Sequence, residues 1–419
     1  MGVQIVINKQ TLDNGVRIMA EKNETVRSVA IGIWVKTGSR NEGLHENGIS
    51  HFIEHMLFKG TETRSPQQIA EAFDRIGGQV NAFTAKEYTC YYAKVLDEHV
   101  RIAVDVLQDM FFNSVFEEKE IEREKNVVLE EIRMVEDTPD DLVHDLLSEA
   151  TFGEATLANP ILGTEETLDS FTKNQLHDYM DRFYTGDRVV ISVSGHYDDQ
   201  LLLELEDLFS AVKKSREEFL VPEARFEPIQ NYRYKETEQA HLCLAYPGLE
   251  VGSEDMFGLV LLNNTLGGSM SSRLFQTIRE DQGLCYSVFS YHSSYEHVGT
   301  VTLYAGTQLT QLEKLSEAMA QVTQNVQQQG ITKKELENGK EQLKGSIMLG
   351  LESTSSRMTR NGKNELMIEK HRSLDQLLDD INRVSLENVN ELAERLFNVS
   401  PALSIVAPSE TMPLTFYNN

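Results

Sequence analysis

An internal duplication limits the folds open to this chain. The segment KEIEREK at 119–125 returns as KELENGK at 334–340, an offset of 215 positions. The same order of patterns precedes each copy: alternating strands, an apolar helix, paired strands and a further helix. A repeat of this length indicates two similar domains rather than a solenoid of short units.

The fold class follows from the patterns inside each half. Alternating strands are mixed with separate helical segments, which predicts an α+β fold in which a mostly antiparallel sheet carries helices on one face. The 419 residues also exceed the usual size of one hydrophobic core. We therefore expect an N-terminal domain over 1–214, a linker over 215–230 that holds Pro222 and Pro228, and a C-terminal domain over 231–419.

The strongest chemical signal is the pentapeptide HFIEH at 51–55. If this segment is helical, His51, Glu54 and His55 share one face within a single turn. Two imidazoles one turn apart can bind one zinc ion, and a carboxylate beside them can take a proton from a water molecule on the metal. H-x-x-E-H is the inverted form of the H-E-x-x-H zinc helix. Two ordinary surface histidines are the alternative, which stays open until a third ligand is found.

Local signals define helix ends in this part of the chain. Ser50 is the expected N-cap of the HFIEH helix, and Gly60 is its expected stop. In the next helix, Ser65-Pro66 supplies the N-cap and the first helical residue, and Gly77 lies just beyond the end. Both segments are therefore predicted to be helical.

A hydrolytic zinc site needs a third protein ligand and an open position. The three cysteines are scattered and form no C-x-x-C pair, which argues against a closed structural site. A long amphipathic helix is predicted over 116–135, and it offers Glu124, Glu130 and Glu131. Its inward face is expected to hold Ile121, Val127, Val128 and Ile132. Spacing does not choose among the three glutamates, each of which could lie on a solvated face.

Only the first half of the duplication carries metal-binding residue types. At the offset of 215, Glu124 corresponds to Gly339 and Glu131 corresponds to Ser346. The apolar helix of the second half, EDMFGLVLLNNTLGG, contains no histidine. The sequence therefore indicates one metal-competent half and one metal-free half.

Four segments carry a resemblance to a known family: HFIEHMLFKGT, VNAFTAKEYTCYYAKV, VVLEEIRMVE and NNTLGGSMSSRLFQTIREDQGLCYSV. They resemble the pitrilysin or insulinase (M16) family of zinc peptidases, most closely the branch that contains the mitochondrial processing peptidase and its bacterial relatives. The resemblance implies one Zn²⁺ per chain, bound by His51, His55 and Glu131. It also implies that Glu54 is the general base and that Glu124 is a supporting acid near the metal.

The resemblance further implies a clamshell chamber in which the second domain closes over the first. Arg279 would bind a substrate backbone carbonyl, and Tyr286 would donate to the carbonyl oxygen under attack. Without the family, these residues would be a surface arginine and a strand tyrosine packed in a core.

Four residues of the first half are implied in substrate binding by the same resemblance. Asn81 and Ala82, on a strand beside the zinc helix, would contact the backbone of an extended peptide. Asp141 and Asp145 would meet a basic side chain near the cleaved bond. On sequence alone, the strand could equally be internal, and Asp141 could be a charge at a helix N-terminus.

The implied function is a zinc endopeptidase that hydrolyses unfolded or extended peptides and favours basic residues near the cleavage site. The main alternative is an inactive peptide-binding or structural relative, but such relatives typically lose metal ligands. A metal-binding regulator would need an effector surface or a nucleic-acid surface. The net charge of −27 argues against nucleic acid and would attract basic peptides to a cavity.

The sequence also gives expectations about the cellular location and the oligomeric state of the protein. The stretch MGVQIVINKQTLDNGVRIMAEKN lacks a basic region followed by an apolar one, and no apolar run approaches the roughly 18 residues of a membrane span. Three unpaired-looking cysteines favour a reducing compartment. We therefore expect a cytoplasmic bacterial protein without a membrane partner. Because the chain is half the length of four-domain members of the family, a homodimer is expected.

Overall fold

The computed structural model describes residues 7–215 and 220–414. The first six residues of the N-terminal stretch considered for localisation lie outside the described residues. Residues 216–219 of the predicted linker also lie outside them.

The strands alternate with helices along both halves of the chain. The strands are β1 (Ile7–Thr11), β2 (Arg17–Lys22), β3 (Ser28–Val35), β4 (Gln79–Thr84), β5 (Thr89–Leu96), β6 (Val189–Gly195), β7 (Gln230–Tyr234), β8 (Ala240–Pro247), β9 (Ser287–Tyr295), β10 (Val298–Thr307) and β11 (Ala402–Ala407). The helices are α1 (Ile49–Leu57), α2 (Pro66–Asp74), α3 (Val100–Asn113), α4 (Glu118–Asp137), α5 (Pro139–Phe152), α6 (Glu165–Ser170), α7 (Lys173–Phe183), α8 (Gln200–Phe209), α9 (Met256–Leu266), α10 (Leu312–Gln329), α11 (Lys333–Gly350), α12 (Thr354–Met367), α13 (Leu374–Arg383) and α14 (Leu386–Phe397). Short 3₁₀ turns lie at Ser39–Asn41, Asp97–His99, Thr156–Ala158, Gly186–Arg188 and Leu309–Gln311, and a π-helix lies at Phe275–Asp281.

The strands form two sheets, of six and five strands, and the order of the second matches that of the first once β1 is set aside. The first sheet runs β1-β2-β6-β3-β5-β4, and the second runs β7-β11-β8-β10-β9. In each sheet one pair is parallel, β2 with β6 and β7 with β11, and the other pairs are antiparallel. This common order confirms both the α+β fold class and the duplication that the sequence predicts.

A contact that occurs in both halves supports the offset of 215 positions between the repeats. Lys125 on α4 donates to the backbone oxygen of Asp169 at 2.9 Å, and Lys340 on α11 donates to that of Asn382 at 2.8 Å. The two lysines are 215 positions apart, and each acceptor belongs to the second helix further along the chain, α6 for Lys125 and α13 for Lys340. The offset read from the sequence is therefore also a structural equivalence.

The central strand β3 shows how the first core forms. Val29, Ile31, Ile33 and Val35 alternate with residues of the other face, and each is at most 1% exposed. They pack in one cluster with apolar side chains of α1, α3 and α7. Burying a side chain of this size stabilises the fold by about 1.5–3 kcal/mol, so the sheet fixes where α1 lies.

Helices α5 and α12 are exchanged between the repeats. Pro139 and Thr354, their first residues, are 215 positions apart, so the two helices are equivalent. The chain divides into two compact units: unit 1 comprises Met1–Ile132, Pro160–Val221 and Met348–Ser373, and unit 2 comprises Arg133–Asn159, Pro222–Ile347 and Leu374–Asn419. Each unit therefore combines the sheet of one repeat with a helix from the other. The boundaries at 214 and 231 stay a prediction, because they follow the sequence repeat and not these contacts.

The exchanged helix α12 packs on the face of the first sheet opposite to α1, which adds a second helical layer to the predicted one. A Cβ on Gly362 would lie 2.3 Å from Nε1 of Trp34, and one on Gly32 would lie 2.6 Å from the sulfur of Met358. Ser192 donates its hydroxyl to the backbone oxygen of Met358 at 2.8 Å. Glycine at 32 and 362 is therefore what allows this close approach.

Helix α5 covers the corresponding face of the second sheet. Its apolar side chains, among them Val143 and Leu147, cluster with Cys243 and Val406 of the sheet. The hydroxyl of Ser404 donates to the backbone oxygen of Val143 at 2.7 Å. Both units therefore bury both faces of their sheets.

The predicted helix ends are partly confirmed. Helix α2 begins at Pro66 behind a Ser65 capping box, as predicted. The predicted N-cap of α1 was wrong, because Gly48 is the N-cap and Ser50 lies inside the helix. Val127 of α4 was also placed wrongly, since it is 44% exposed.

Among the helices within 7–215 and 220–414, none combines the length with the apolar character that a bilayer crossing requires.

Candidate metal centre

Helix α1 positions the two histidines and Glu54 on one side of a single turn. Its other side is apolar and buried, and this face holds the helix against the first sheet. The rings of His51 and His55 have centroids 4.5 Å apart, and His51 is 9% exposed. The predicted helical reading of HFIEH is therefore confirmed.

Helix α4 brings a carboxylate to these rings. Oε2 of Glu131 lies 3.6 Å from Nε2 of His51 and 3.6 Å from Nε2 of His55. One ligand atom from each of the three side chains lies within 4.8 Å of the other two. Glu130 is exposed, and Glu124 contacts Nδ1 of His55 on the other side of the ring. Of the three glutamates that spacing could not separate, Glu131 is therefore the one that lies beside both histidines.

A second layer fixes the orientation of His55. Nδ1 of His55 lies 2.8 Å from Oε1 of Glu124, and Nζ of Lys59 lies 2.6 Å from the other oxygen of Glu124. Although burial acts in the opposite direction, the hydrogen bonds from His55 and Lys59 lower the pKa of Glu124. An ionised Glu124 places the ring proton on Nδ1, so the lone pair of Nε2 is left for a ligand.

The donor set fits zinc. Two imidazole nitrogens and one carboxylate oxygen are ligands of catalytic zinc sites, which keep a further position open. Burial, followed by the charge of His55, lowers the pKa of His51 to about 3, so His51 is neutral near pH 7. Neutral imidazole is the form that binds a metal. His51, His55 and Glu131 could therefore hold one zinc ion.

Glu54 lies on the same turn with its own hydrogen bond. Its Oε2 accepts from the hydroxyl of Thr84 at 2.5 Å, and burial raises the pKa of Glu54 against the effect of that bond. A carboxyl group with a raised pKa is suited to accept and return a proton. Thr84 is the last residue of β4, so this bond also ties the strand to α1.

The strand β4 is an edge of the first sheet. Asn81 and Ala82 pair with Tyr92 and Tyr91 of β5, and no other strand within 7–215 and 220–414 pairs with β4. Asn81 is exposed, and its Oδ1 accepts from the N–H of Ala82 at 2.8 Å. An edge strand offers backbone groups to an added strand, which is the arrangement that the predicted contact needs.

Unit 2 brings Arg279 and Tyr286 together. The guanidinium carbon of Arg279, on the π-helix, lies 4.6 Å from the centroid of the Tyr286 ring and 4.7 Å from that of Phe275. Tyr286 is 77% exposed, so it does not pack in a core. The alternative reading of a core tyrosine is therefore excluded.

Asp141 and Asp145 lie one turn apart on α5, as their spacing predicts. Asp141 is exposed in the first turn of the helix, and Asp145 is half-buried. Their substrate-binding role stays a prediction.

Three contributing residues were missed at the sequence level. Lys59 follows His55 by one helical turn, so its spacing could have indicated the contact with Glu124. Thr84 ends the strand that also carries Asn81 and Ala82, and an alternating pattern does not reveal its contact with Glu54. Glu42 contacts α1 from a loop, for which the sequence gives no periodic signal.

Comparison with known families covers most of the chain. A model described as Insulinase (Peptidase family M16) matches residues 17–165, and one described as Peptidase M16 inactive domain matches residues 170–343. The two matches adjoin at residues 165–170, within the first half of the duplication, and the first match contains every residue of the His51–His55–Glu131 group.

Relatives and solved structures agree with these matches. An uncharacterized zinc protease, YmxG, of Bacillus subtilis is 58% identical over 97% of this chain and 100% of its own length. An uncharacterized zinc protease of Streptomyces coelicolor is 38% identical over 96% of this chain and 90% of its own length. At 19% identity, the fold is similar to a protease from Helicobacter pylori (TM-score 0.88, 97% and 100% covered) and to a peptidase M16 inactive domain from Pseudomonas fluorescens (TM-score 0.90, 97% and 99% covered).

Proposed function

The chain belongs to the insulinase family of peptidases, M16, and from that premise we propose that it is a zinc-dependent endopeptidase acting on unfolded or extended peptides. The observation that carries the proposal is the convergence of His51, His55 and Glu131 on one point beside Glu54. An inactive peptide-binding relative is the weaker candidate, because the ligand set and the adjacent carboxylate are all present.

In this proposal His51, His55 and Glu131 hold one Zn²⁺. Zinc, when bound, supplies Lewis-acid polarisation of a carbonyl group and of water. Glu54 accepts the proton of the attacking water on its carboxylate and later delivers it to the leaving amine. Thr84 keeps one carboxylate oxygen of Glu54 in place during both transfers.

Substrate binding is proposed to begin at β4. An extended peptide would add to this edge strand through backbone hydrogen bonds, with Asn81 and Ala82 as contacts. The bond between Thr84 and Glu54 supports this, because a peptide beside β4 would lie next to the base. Arg279 would bind a backbone carbonyl, and Tyr286 would donate to the carbonyl oxygen under attack.

A preference for basic residues near the cleaved bond is part of the proposal. Asp141 and Asp145 supply negative charge on one helix, and the net charge of −27 raises the local concentration of basic peptides. Main-chain binding itself adds little sequence selectivity. We also propose that the protein is cytoplasmic, because its three cysteines are free, and that two copies of this two-domain chain associate as a homodimer.

The experiment is a cleavage profile on a mixed peptide library, with and without a chelator. We expect cleavage that stops on chelation and returns with Zn²⁺, at sites enriched in arginine or lysine. In the Asp141→Asn/Asp145→Asn double variant that enrichment should fall while cleavage continues. Cleavage that is indifferent to the chelator would refute the zinc mechanism, and an unchanged profile in the variant would refute the assigned acids.

A further inference from the structure

The metal helix α1 begins without an ordinary side-chain cap. Its N-cap is Gly48 at φ 92°, in the left-handed region, and a Cβ there would lie 2.6 Å from the backbone oxygen of Leu162. Serine, threonine, aspartate and asparagine, the usual capping residues, are therefore excluded from this position. The first N–H groups of the helix still need acceptors.

Glu42 provides those acceptors from six residues upstream of the N-cap. Its Oε2 accepts from the N–H of Gly48 at 2.7 Å and from the amide of Asn47 at 3.1 Å, and its Oε1 accepts from the N–H of Ser50 at 2.9 Å. Glu42 is only 1% exposed. Burial raises the pKa of Glu42, and the N–H groups of Ser50 and Gly48 oppose that effect. Three donors therefore enclose both oxygens of one buried carboxylate.

The two histidines differ in what orients them. The ring of His55 is held through Nδ1 by Glu124. Nδ1 of His51 is buried and has no hydrogen-bond partner among the residues that the structure describes. Metal-binding histidines usually have such a partner, so the direction of the His51 ring depends on the backbone of the first turn. His51 directly follows Ser50, the residue whose N–H Glu42 accepts.

We propose that Glu42 is the positioning residue for His51, fixing through the backbone of α1 what Glu124 fixes through the ring of His55. The inference rests on the proposed zinc site. It assigns to Glu42 no contact with substrate or metal. Its effect is on the geometry that His51 presents.

Glu42→Gln tests the inference. Whichever way the amide is placed, its NH₂ group faces at least one of the three donors, so the first turn must shift. We expect zinc affinity, measured by chelator competition on the full chain, to fall roughly 10–100-fold, the usual effect of losing a supporting partner. The visible absorption spectrum of the Co²⁺-loaded chain should change. On a library-derived peptide, kcat should fall while KM stays near the wild-type value.

Glu21→Gln is the matched control. Glu21 is a buried carboxylate, 2% exposed, and binds Arg357 and Asn361 on the sheet face opposite to α1. Its replacement should lower stability and leave zinc affinity and the Co²⁺ spectrum unchanged. Glu42→Asp keeps the charge and should restore part of the affinity; it also serves if the glutamine variant does not fold.

The outcomes separate this inference from the function itself. Wild-type zinc affinity and spectrum in both Glu42 variants would overturn the positioning role while the zinc site stands. An equal loss of affinity in Glu21→Gln would also overturn it, because the effect would then be general destabilisation. A wild-type chain that binds neither metal would refute the zinc site, and with it this inference.

Discussion

His55 and Glu124 are joined by a hydrogen bond of 2.8 Å between Nδ1 and Oε1, and this bond faces away from the point where Nε2 of His55 meets Glu131. Lys59 holds the second oxygen of Glu124. The carboxylate therefore orients the ring and increases the basicity of its metal-facing nitrogen. This relationship links the long helix α4 to the metal helix twice, through Glu124 and through Glu131.

Glu124→Gln should lower zinc affinity roughly 10–100-fold. The amide keeps a possible acceptor for His55 but loses the charge that favours Nδ1–H and pairs with Lys59. Competition with a chelator of known affinity measures the loss. Glu122→Gln, an exposed change on the same helix, is the control and should bind zinc as the wild type does. Unchanged affinity in Glu124→Gln would show that the bond has no supporting role.

Glu131→Gln should nearly abolish zinc binding, because one of three protein ligands loses its charge. Glu130→Gln should retain the wild-type zinc content, since that neighbour is exposed. Metal analysis after dialysis gives the comparison directly. The reverse pattern, with zinc lost in the 130 variant and kept in the 131 variant, would contradict the ligand assignment.

Gly362→Ala should destabilise unit 1 by roughly 1–3 kcal/mol, because the added methyl group would overlap the ring of Trp34. Urea unfolding followed by the fluorescence of this single tryptophan reports the change. In Gly345→Ala the methyl group meets nothing within 4 Å, and the helix α11 should be slightly more stable. Equal behaviour of the two variants would mean that α12 does not pack against Trp34.

Glu335 contributes to the stability of unit 2 in a way that depends on pH. The guanidinium group of Arg273 donates from Nε to Oε1 of Glu335 at 2.8 Å and from Nη2 to Oε2 at 2.9 Å. These hydrogen bonds lower the pKa of Glu335 to about 2, from 4.5 in the unfolded chain. Because the folded pKa is depressed, the stability is fully present above pH 4.5 and is lost as the pH falls towards 2. Because the side chain of Glu335 is 30% exposed, solvent screens the pair, and its contribution to the free energy of unfolding is roughly 1–2 kcal/mol.

Glu335→Gln should therefore be less stable than the wild type at pH 7, and the difference should shrink between pH 4.5 and 2. Urea unfolding across this range measures it. Glu337→Gln, an exposed change in the same turn, should show no such difference. A gap between wild type and Glu335→Gln that stays constant with pH would contradict the role of the ion pair.

Much of this fold can be derived from the sequence, because the features concerned are periodic. The segment KEIEREK and its copy predict the duplication, and the i, i+3, i+4 spacing of HFIEH predicts the shared helix face. The predicted start of α2, with Ser65 as the N-cap and Pro66 as the first helical residue, depends on local sequence and was confirmed. Patterns of this kind depend on a few adjacent residues, so a single chain is sufficient to read them.

What could not be derived depends on contacts between distant segments. Ser50 looks like a cap, but Gly48 and Glu42, which lies in the preceding loop, share that role. Glu131 differs from Glu130 only in which side of α4 meets α1, and this is decided by packing. The exchange of α5 and α12 leaves no signal in either half, since the residues that a helix buries do not show which of two similar sheets it covers.

The most direct test measures zinc content and peptide cleavage on the same samples of the wild type and Glu54→Gln. We expect one zinc per chain in both proteins, and we expect cleavage by the variant to be at least about 100-fold slower than cleavage by the wild type, the scale of a lost general base. A chelator should abolish the wild-type activity. Equal cleavage by the wild type, the variant and the chelated protein would contradict the assignment of Glu54 and of the metal together.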